Sequence, residues 1–208
     1  MPVQRVITYI DGFNLYFGLK SKNWRRYYWL DLVALSQSML KPDQTLSHVH
    51  YFTTRIRSNG HNAADAKRQN TYLDALATLP ALTRHEGHYL EKTRRCRSCG
   101  ATWPDYEEKM TDVNIASQLL VDAFDDCYDT AIIMSGDSDL TTPVRRVRER
   151  FPNKRVVIGQ PPNRHSQELN RAANGFLSIG EDKLRNSQLK NQVVSMTGFS
   201  LLRPAHWA

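Results

Sequence analysis

Apolar residues fall along this chain in short continuous runs separated by longer amphipathic stretches. Val3 to Ile10, Ser47 to Arg55, Leu82 to Leu90, Thr130 to Met134, Arg155 to Ile158 and Gly175 to Ile179 read as strands. Between them, helices are expected over Asn14 to Lys20, Leu30 to Leu40, His61 to Leu79, Asp112 to Asp126 and Leu140 to Arg150. In the helix from Asp112, the residues Val113, Ala116, Leu120, Ala123 and Phe124 share one face and are expected to be its buried side. The strands are apolar throughout rather than alternating, which is the pattern of a parallel sheet covered on both faces. The chain is therefore expected to be a three-layer α/β/α domain with a central, mainly parallel sheet over residues 1–180. Residues 181–208 are a C-terminal extension with no clear element, and the segment 91–104 is a distinct insert dense in arginine.

In doubly wound folds, ligands sit outside the carboxyl ends of the strands. Two acidic turns lie there. Asp11-Gly12-Phe13-Asn14 follows the first strand, and Ser135-Gly136-Asp137-Ser138-Asp139 follows the strand ending at Met134. Asp112 opens a helix beside Lys109. Each aspartate alone has a plainer reading as a turn or a helix cap. Together they suggest converging carboxylates, which repel unless a cation sits among them. Hard oxygen donors in an incomplete cage suit Mg²⁺ or Mn²⁺. Without metal, neutralising one such carboxylate is expected to leave the fold intact or slightly more stable.

The run Tyr9-Ile10-Asp11-Gly12-Phe13-Asn14-Leu15-Tyr16 resembles the opening motif of NYN domains, relatives of the PIN nucleases. Glu107 to Val113 is similar to that family's central motif, and Ser135 to Asp139 to its third. The resemblance runs in order over Val3 to Ile179. It implies a PIN-like fold and divalent-metal-dependent cleavage of RNA, with water attacking the phosphodiester in line to leave a 5′-phosphate and a 3′-hydroxyl. It assigns the metal to Asp11, Asp112, Asp137 and Asp139, and a positioning role to Asn14. Ser135 would add a hydroxyl at the rim. Lys109 would hold carboxylates or a phosphate, or is simply solvated.

Charge agrees with a polyanionic partner. The chain carries a formal charge of +7 and a pI of about 9.4, as expected for a protein that meets nucleic acid. Lys92, Arg94, Arg95 and Arg97 crowd the insert, and Arg55, Arg68, Arg145 and Arg146 add to them. Tyr89, Trp103 and Tyr106 flank the insert as stacking platforms, favouring single-stranded RNA. Cys96 and Cys99 form a CxxC that supplies two of the four ligands of a structural Zn²⁺. His85 and His88 upstream, or the CxxC of a second chain in a homodimer, would complete it; a metal-free CxxC supporting a hairpin is the alternative. Cys127 is expected to be a small buried hydrophobe. No apolar run approaches the roughly 20 residues of a membrane span, and Val6 to Ile10 is too short for a signal peptide. A cytoplasmic location follows as the default.

Two other functions compete with this one. A phosphohydrolase of the haloacid dehalogenase type needs a second aspartate two positions after the first, where this chain has Phe13. A nucleic-acid-binding module without catalysis would not need the full acidic set.

Overall fold

The computed structural model describes residues 3–56, 58 and 62–207, with only the backbone described at 88–92 and 104–109. The sheet strands are β1 (Gln4–Asp11), β2 (Gln44–Thr53), β3 (Leu82–Glu86), β6 (Thr130–Met134), β7 (Arg155–Gln160) and β8 (Gly175–Ser178). They form one six-stranded sheet in the order β3-β2-β1-β6-β7-β8. Every neighbouring pair is parallel. The helices are α1 (Gly12–Ser21), α2 (Leu32–Gln37), α3 (Ala63–Leu76), α4 (Thr111–Phe124), α5 (Thr141–Arg150), α6 (Gln167–Ala172) and α7 (Glu181–Asn186).

Alternation along the strands divides the core in two. Val6, Ile10, Ile132 and Met134 face a cluster with Leu15 and Leu19 of α1, Leu35 of α2 and Leu73 and Leu76 of α3. Ile7, Tyr9, Ala131 and Ile133 face Ile115 and Leu119 of α4, Val144 of α5 and Leu169 of α6. The three-layer expectation therefore holds, with helices on both faces. Asp11, Asp31 and Ser166 cap α1, α2 and α6 through side-chain acceptors for the first free N–H groups.

Four expectations need correction. The run Leu82 to Leu90 is two strands. Gly87 ends β3, and its N–H donates back to the Thr53 carbonyl (2.8 Å). The chain then enters an antiparallel hairpin of β4 (His88–Arg95) and β5 (Thr102–Lys109), so the insert is longer than 91–104. The helix over Leu30 to Leu40 shrinks to α2, because Asp31 accepts from Val33 and Ala34 and starts the helix after itself. On α4, Val113 and Phe124 are each 64% exposed. The inward face is instead Ile115, Leu119, Asp122 and Ala123, so a buried aspartate interrupts the apolar stripe by which such a face is read. Cys127 is exposed rather than buried.

The stretch from residue 181 also has structure. After α7 come β9 (Gln192–Val194) and β10 (Ser200–Leu202), paired as a small hairpin. Leu184, Leu189 and Trp207 then join the α1–α3 core.

Candidate active site

The strand order reverses at β1. The chain adds β2 and β3 on one side, then returns to add β6, β7 and β8 on the other. A crevice opens outside the carboxyl ends at such a point. The residues bordering it are Asp11, which ends β1, and Ser135, which follows β6.

Asp11 is 2% exposed. Its Oδ1 accepts from the Asn14 backbone N–H (2.9 Å), and its Oδ2 accepts from Asn14 Nδ2 (2.6 Å) and the Ser135 hydroxyl (2.8 Å). The Ser135 oxygen in turn accepts from the Asp137 N–H (3.1 Å), and Asn14 Oδ1 accepts from the Gly136 N–H (3.3 Å). Asn14 thus ties the two strand-end turns together with both ends of its amide. Burial pushes the Asp11 carboxyl above its ordinary range. The donors of Asn14 and Ser135 oppose this, and nearby Asp137 adds to it. Among the described residues, this carboxylate has neutral donors and no ion-pair partner.

Asp137 is half-buried. Its Oδ1 accepts from the Asp139 N–H (3.0 Å), so Asp139 braces the turn through its backbone while its side chain stays exposed. Asp112 lies in the first turn of α4, after Met110, whose φ is 82°. It is not the N-cap. The helix it opens packs against the Ser138–Leu140 turn. The structure therefore gathers Asp11, Asn14, Ser135 and Asp137, with Asp139 and Asp112 on elements beside them. Among the described residues, no three His, Cys, Asp or Glu side chains converge to hold one ion. The expectation is an incomplete cage of Asp11, Asp112, Asp137 and Asp139, and of these Asp137 is the one that acts on the Asp11 carboxyl. An open set of one or two carboxylates still matches the way Mg²⁺ is usually held, with waters and substrate phosphates filling its shell.

Sequence reasoning missed the loop after β7. A Cβ on Gly136 would lie 2.6 Å from the Arg164 carbonyl carbon and 2.7 Å from the His165 nitrogen. Only glycine allows that approach, and it puts exposed Arg164 and His165 at the acidic turn. The usable signal was positional: Pro161-Pro162-Asn163-Arg164 follows a strand's carboxyl end.

Among the predicted cations, Arg55 is tied to Glu86 (3.1 Å) and to Asn70 Oδ1 (2.7 Å). Arg68 pairs with Asp65, Arg145 with Glu168 and Arg146 with Glu149. Arg94, Arg95 and Arg97 are exposed on the β4–β5 hairpin, which forms a two-stranded sheet of its own. The side chains of His88, Tyr89, Lys92, Tyr106 and Lys109 lie outside the described residues. Cys96 and Cys99 sit in the hairpin turn, where the Cys96 N–H donates to the Ala101 carbonyl (2.8 Å). The Ser98 hydroxyl, and then the N–H groups of Cys99 and Ser98, pull the Cys96 thiol down to about 6. His85 belongs to β3, where its Nε2 bonds His50 Nδ1 (2.9 Å), so it is not beside that turn.

A second polar cluster was also invisible in the sequence. Asp122 Oδ2 accepts from the Tyr9 hydroxyl (2.6 Å) and His50 Nε2 (3.2 Å), and its Oδ1 from Gln118 Nε2 (2.8 Å). The other ring nitrogen of His50, Nδ1, lies 2.9 Å from His85 Nε2, so the cluster continues into β3. Burial pushes Asp122 up, yet its hydrogen bonds from His50, Tyr9 and Gln118 outweigh burial and hold it below the ordinary range.

Beside α1 lies a cavity of about 620 Å³, lined by Gly12, Phe13, Tyr16, Phe17, Tyr28 and Trp207 among others.

Comparison with known proteins agrees with the fold. The family model described as the NYN domain matches residues 5–180. A curated relative, 6-hydroxy-3-succinoylpyridine 3-monooxygenase HspA of Pseudomonas putida (strain DSM 28022 / S16), is 28% identical over 199 residues, covering 80% of this chain and 62% of the relative. The chain thus spans less than two thirds of that protein's length. A crystal structure of a protein of unknown function, VPA0982 from Vibrio parahaemolyticus RIMD 2210633, shares the fold. It has a TM-score of 0.57 at 19% identity, with 89% of this chain and 96% of that one covered.

Proposed function

The chain belongs to the NYN domain family, and from that premise we propose that it is a metal-dependent ribonuclease acting on single-stranded RNA. The observation that carries this reading is Asp11: buried, hydrogen-bonded by Asn14 and Ser135, beside Asp137 at the point where the strand order reverses. Asp11 and Asp137 would hold Mg²⁺ or Mn²⁺, with Asp112 and Asp139 at the margin. Such an ion makes bound water acidic and offsets charge on a reacting phosphate. The chain's own residues do the rest. Asn14 and Ser135 keep Asp11 in one orientation, and the backbone of Asp139 does the same for Asp137. Arg164 offers a guanidinium to the phosphate oxygens. The hairpin arginines Arg94, Arg95 and Arg97 extend the contact along the strand.

The nuclease domain is assigned to residues 1–180, with 181–208 as an extension packed on it. No helix among the described residues is long and apolar enough to cross a membrane. A reducing cytoplasm suits three free cysteines. Zinc at Cys96 and Cys99 would need two further ligands, which the hairpin of a second copy could give. Metal analysis of the purified protein and of Cys96→Ser tests that assignment. The nuclease reading is tested by cleavage of single-stranded RNA with Mg²⁺ or Mn²⁺ and its arrest by EDTA; wild-type-like cleavage by Asp11→Asn overturns it.

The named relative favours a second reading, because the aromatic cavity could take a hydroxypyridine ring instead. Dioxygen uptake on addition of 6-hydroxy-3-succinoylpyridine and a reductant, unaffected by Asp11→Asn, would support oxygen insertion over RNA cleavage.

A further inference from the structure

We propose that the cavity beside α1 seats one unstacked base of single-stranded RNA, with Lys20 and Arg164 holding the phosphates that lead to Asp11. The proposal rests on the nuclease reading and extends it from the reacting phosphate to its neighbouring nucleotide. At about 620 Å³ the cavity has the size of a small-ligand site. It reaches Gly12, the residue after Asp11, so cavity and acidic turn share a wall.

The lining has the chemistry of a base platform. Phe13 and Phe17 stack with ring centroids 6.3 Å apart and planes at 25°. Tyr16 and Phe17 are 43% and 40% exposed, although Leu15 and Leu19 already provide the helix's buried face. Exposed aromatic rings of this kind stack on any base. Positive charge beside these rings, from Lys20 in the lining and Arg164 next to it, has the sign that a phosphate needs. Lys20 Nζ lies 5.8 Å from the centroids of both Tyr16 and Phe17, and Arg164 Cζ lies 5.8 Å from Phe17. Neither cation has a carboxylate partner among the described residues. Of the other charges in the lining, Arg68 is matched by Asp65, while Arg25 lies 2.8 Å from His206 Nε2 and keeps its positive charge. Arg164 links the two places, since its backbone presses on Gly136 of the acidic turn while its guanidinium lies over Phe17. An RNA strand gripped by Arg164 would thus run from the rings towards the acidic turn.

The test measures binding in EDTA, where no cleavage intervenes. Fluorescent oligoribonucleotides, intact or with one abasic position moved along the strand, are titrated with the full-length protein. One abasic position should weaken binding roughly 5- to 100-fold. Phe17→Ala and Tyr16→Ala, both at exposed rings, should abolish that discrimination with the circular dichroism spectrum unchanged. Equal binding of every abasic strand overturns the proposal, as does wild-type discrimination in both variants. So does competition by a pyridine carboxylate at concentrations where nucleoside monophosphates do not compete. Cleavage with Mn²⁺ is assayed separately. Discrimination without cleavage supports the base site and removes the nuclease reading, whereas cleavage without discrimination does the reverse.

Discussion

Two buried aspartates on the same face of the sheet each accept three hydrogen bonds, yet their environments drive them in opposite directions. Asp122 receives Tyr9, Gln118 and His50, and its carboxyl is held low. Asp11 receives two groups of Asn14 and the Ser135 hydroxyl, and its carboxyl is pushed up. The number of donors is the same; their kind is not. Asp122 takes its hydrogen bonds from a phenol, an imidazole and an amide, with no second carboxylate among the causes that shift it. Asp11 has only neutral donors and another carboxylate, Asp137, nearby. Asp122 is thus satisfied by the fold alone, whereas Asp11 keeps a raised carboxyl that the proposed metal would relieve. A group held in such a state marks a functional position more specifically than burial does.

The sharpest test of the contrast is to neutralise each in turn. Asp11→Asn should slow RNA cleavage by about a thousandfold or more, on the order of 4 kcal/mol of transition-state stabilisation. Its melting temperature should move by no more than about 3 °C. The gain anticipated from sequence is offset here, because the amide introduced in place of the carboxylate would meet Asn14 Nδ2, a donor facing a donor. Asp122→Ala should do the opposite. Leaving the Tyr9 hydroxyl and His50 without their acceptor should cost about 2–4 kcal/mol in urea unfolding, with cleavage by the folded fraction unchanged. If both variants lose activity and neither loses stability, the contrast is wrong.

Gly136→Ala probes the bond between the acidic turn and the loop that carries Arg164. A methyl 2.6 Å from backbone cannot be absorbed without moving that loop. The expected cost is about 1–3 kcal/mol, with KM for RNA raised more than kcat is lowered. Replacing Arg94, Arg95 and Arg97 together by Ala should leave both aspartates untouched. RNA affinity should fall about tenfold and its salt dependence flatten, with no change in melting temperature.

The smallest effect separates the aspartates by pH. Burial lowers His85 and His48 below their ordinary 6.5. The unfolded chain therefore takes up protons that the folded chain refuses, so their contribution is complete above pH 6.5 and declines as the pH falls from there. Asp122, held low, keeps its contribution above 3.8 and loses it as pH falls through its folded value. Asp11, pushed up, acts with the opposite sign, because protonation relieves its buried charge. Melting temperature should decline as the pH falls below 6.5 and, towards 3.8, more steeply in Asp11→Asn, which lacks that relief. A steeper decline in His85→Phe than in the wild type would contradict the assignment.

Sequence pattern exposed the strands and the strand-end turns because both are local. A continuous Val/Ile run and a following Asp-Gly can be read within a few residues, so Asp11, Asn14, Ser135 and Asp137 were found together. What was missed depends on distant partners. The inward face of α4 was misread because Asp122 is satisfied by Tyr9, 113 positions away. The cavity was unseen because Trp207 and His206 meet α1 only in three dimensions. Arg164 looked like one arginine among many until Gly136 brought its backbone to the acidic turn. Arg55 shows the reverse error, a cation counted as available that Glu86 and Asn70 already hold.

The hydrogen bond from Ser135 to Asp11 joins residues 124 positions apart in the chain. On a ribosome adding about 5–20 residues per second, Asp11 is made roughly 6–25 seconds before Ser135. During that interval β1 has β2 to pair with, but β6 does not yet exist, and the acidic turn lacks its second half. The emerging polypeptide therefore carries an unfinished centre while it is still attached to the messenger that encodes it. Its competence to cut would arise only after β6 has been made and paired with β1, a delay set by the order of strands in the sheet rather than by an inhibitor.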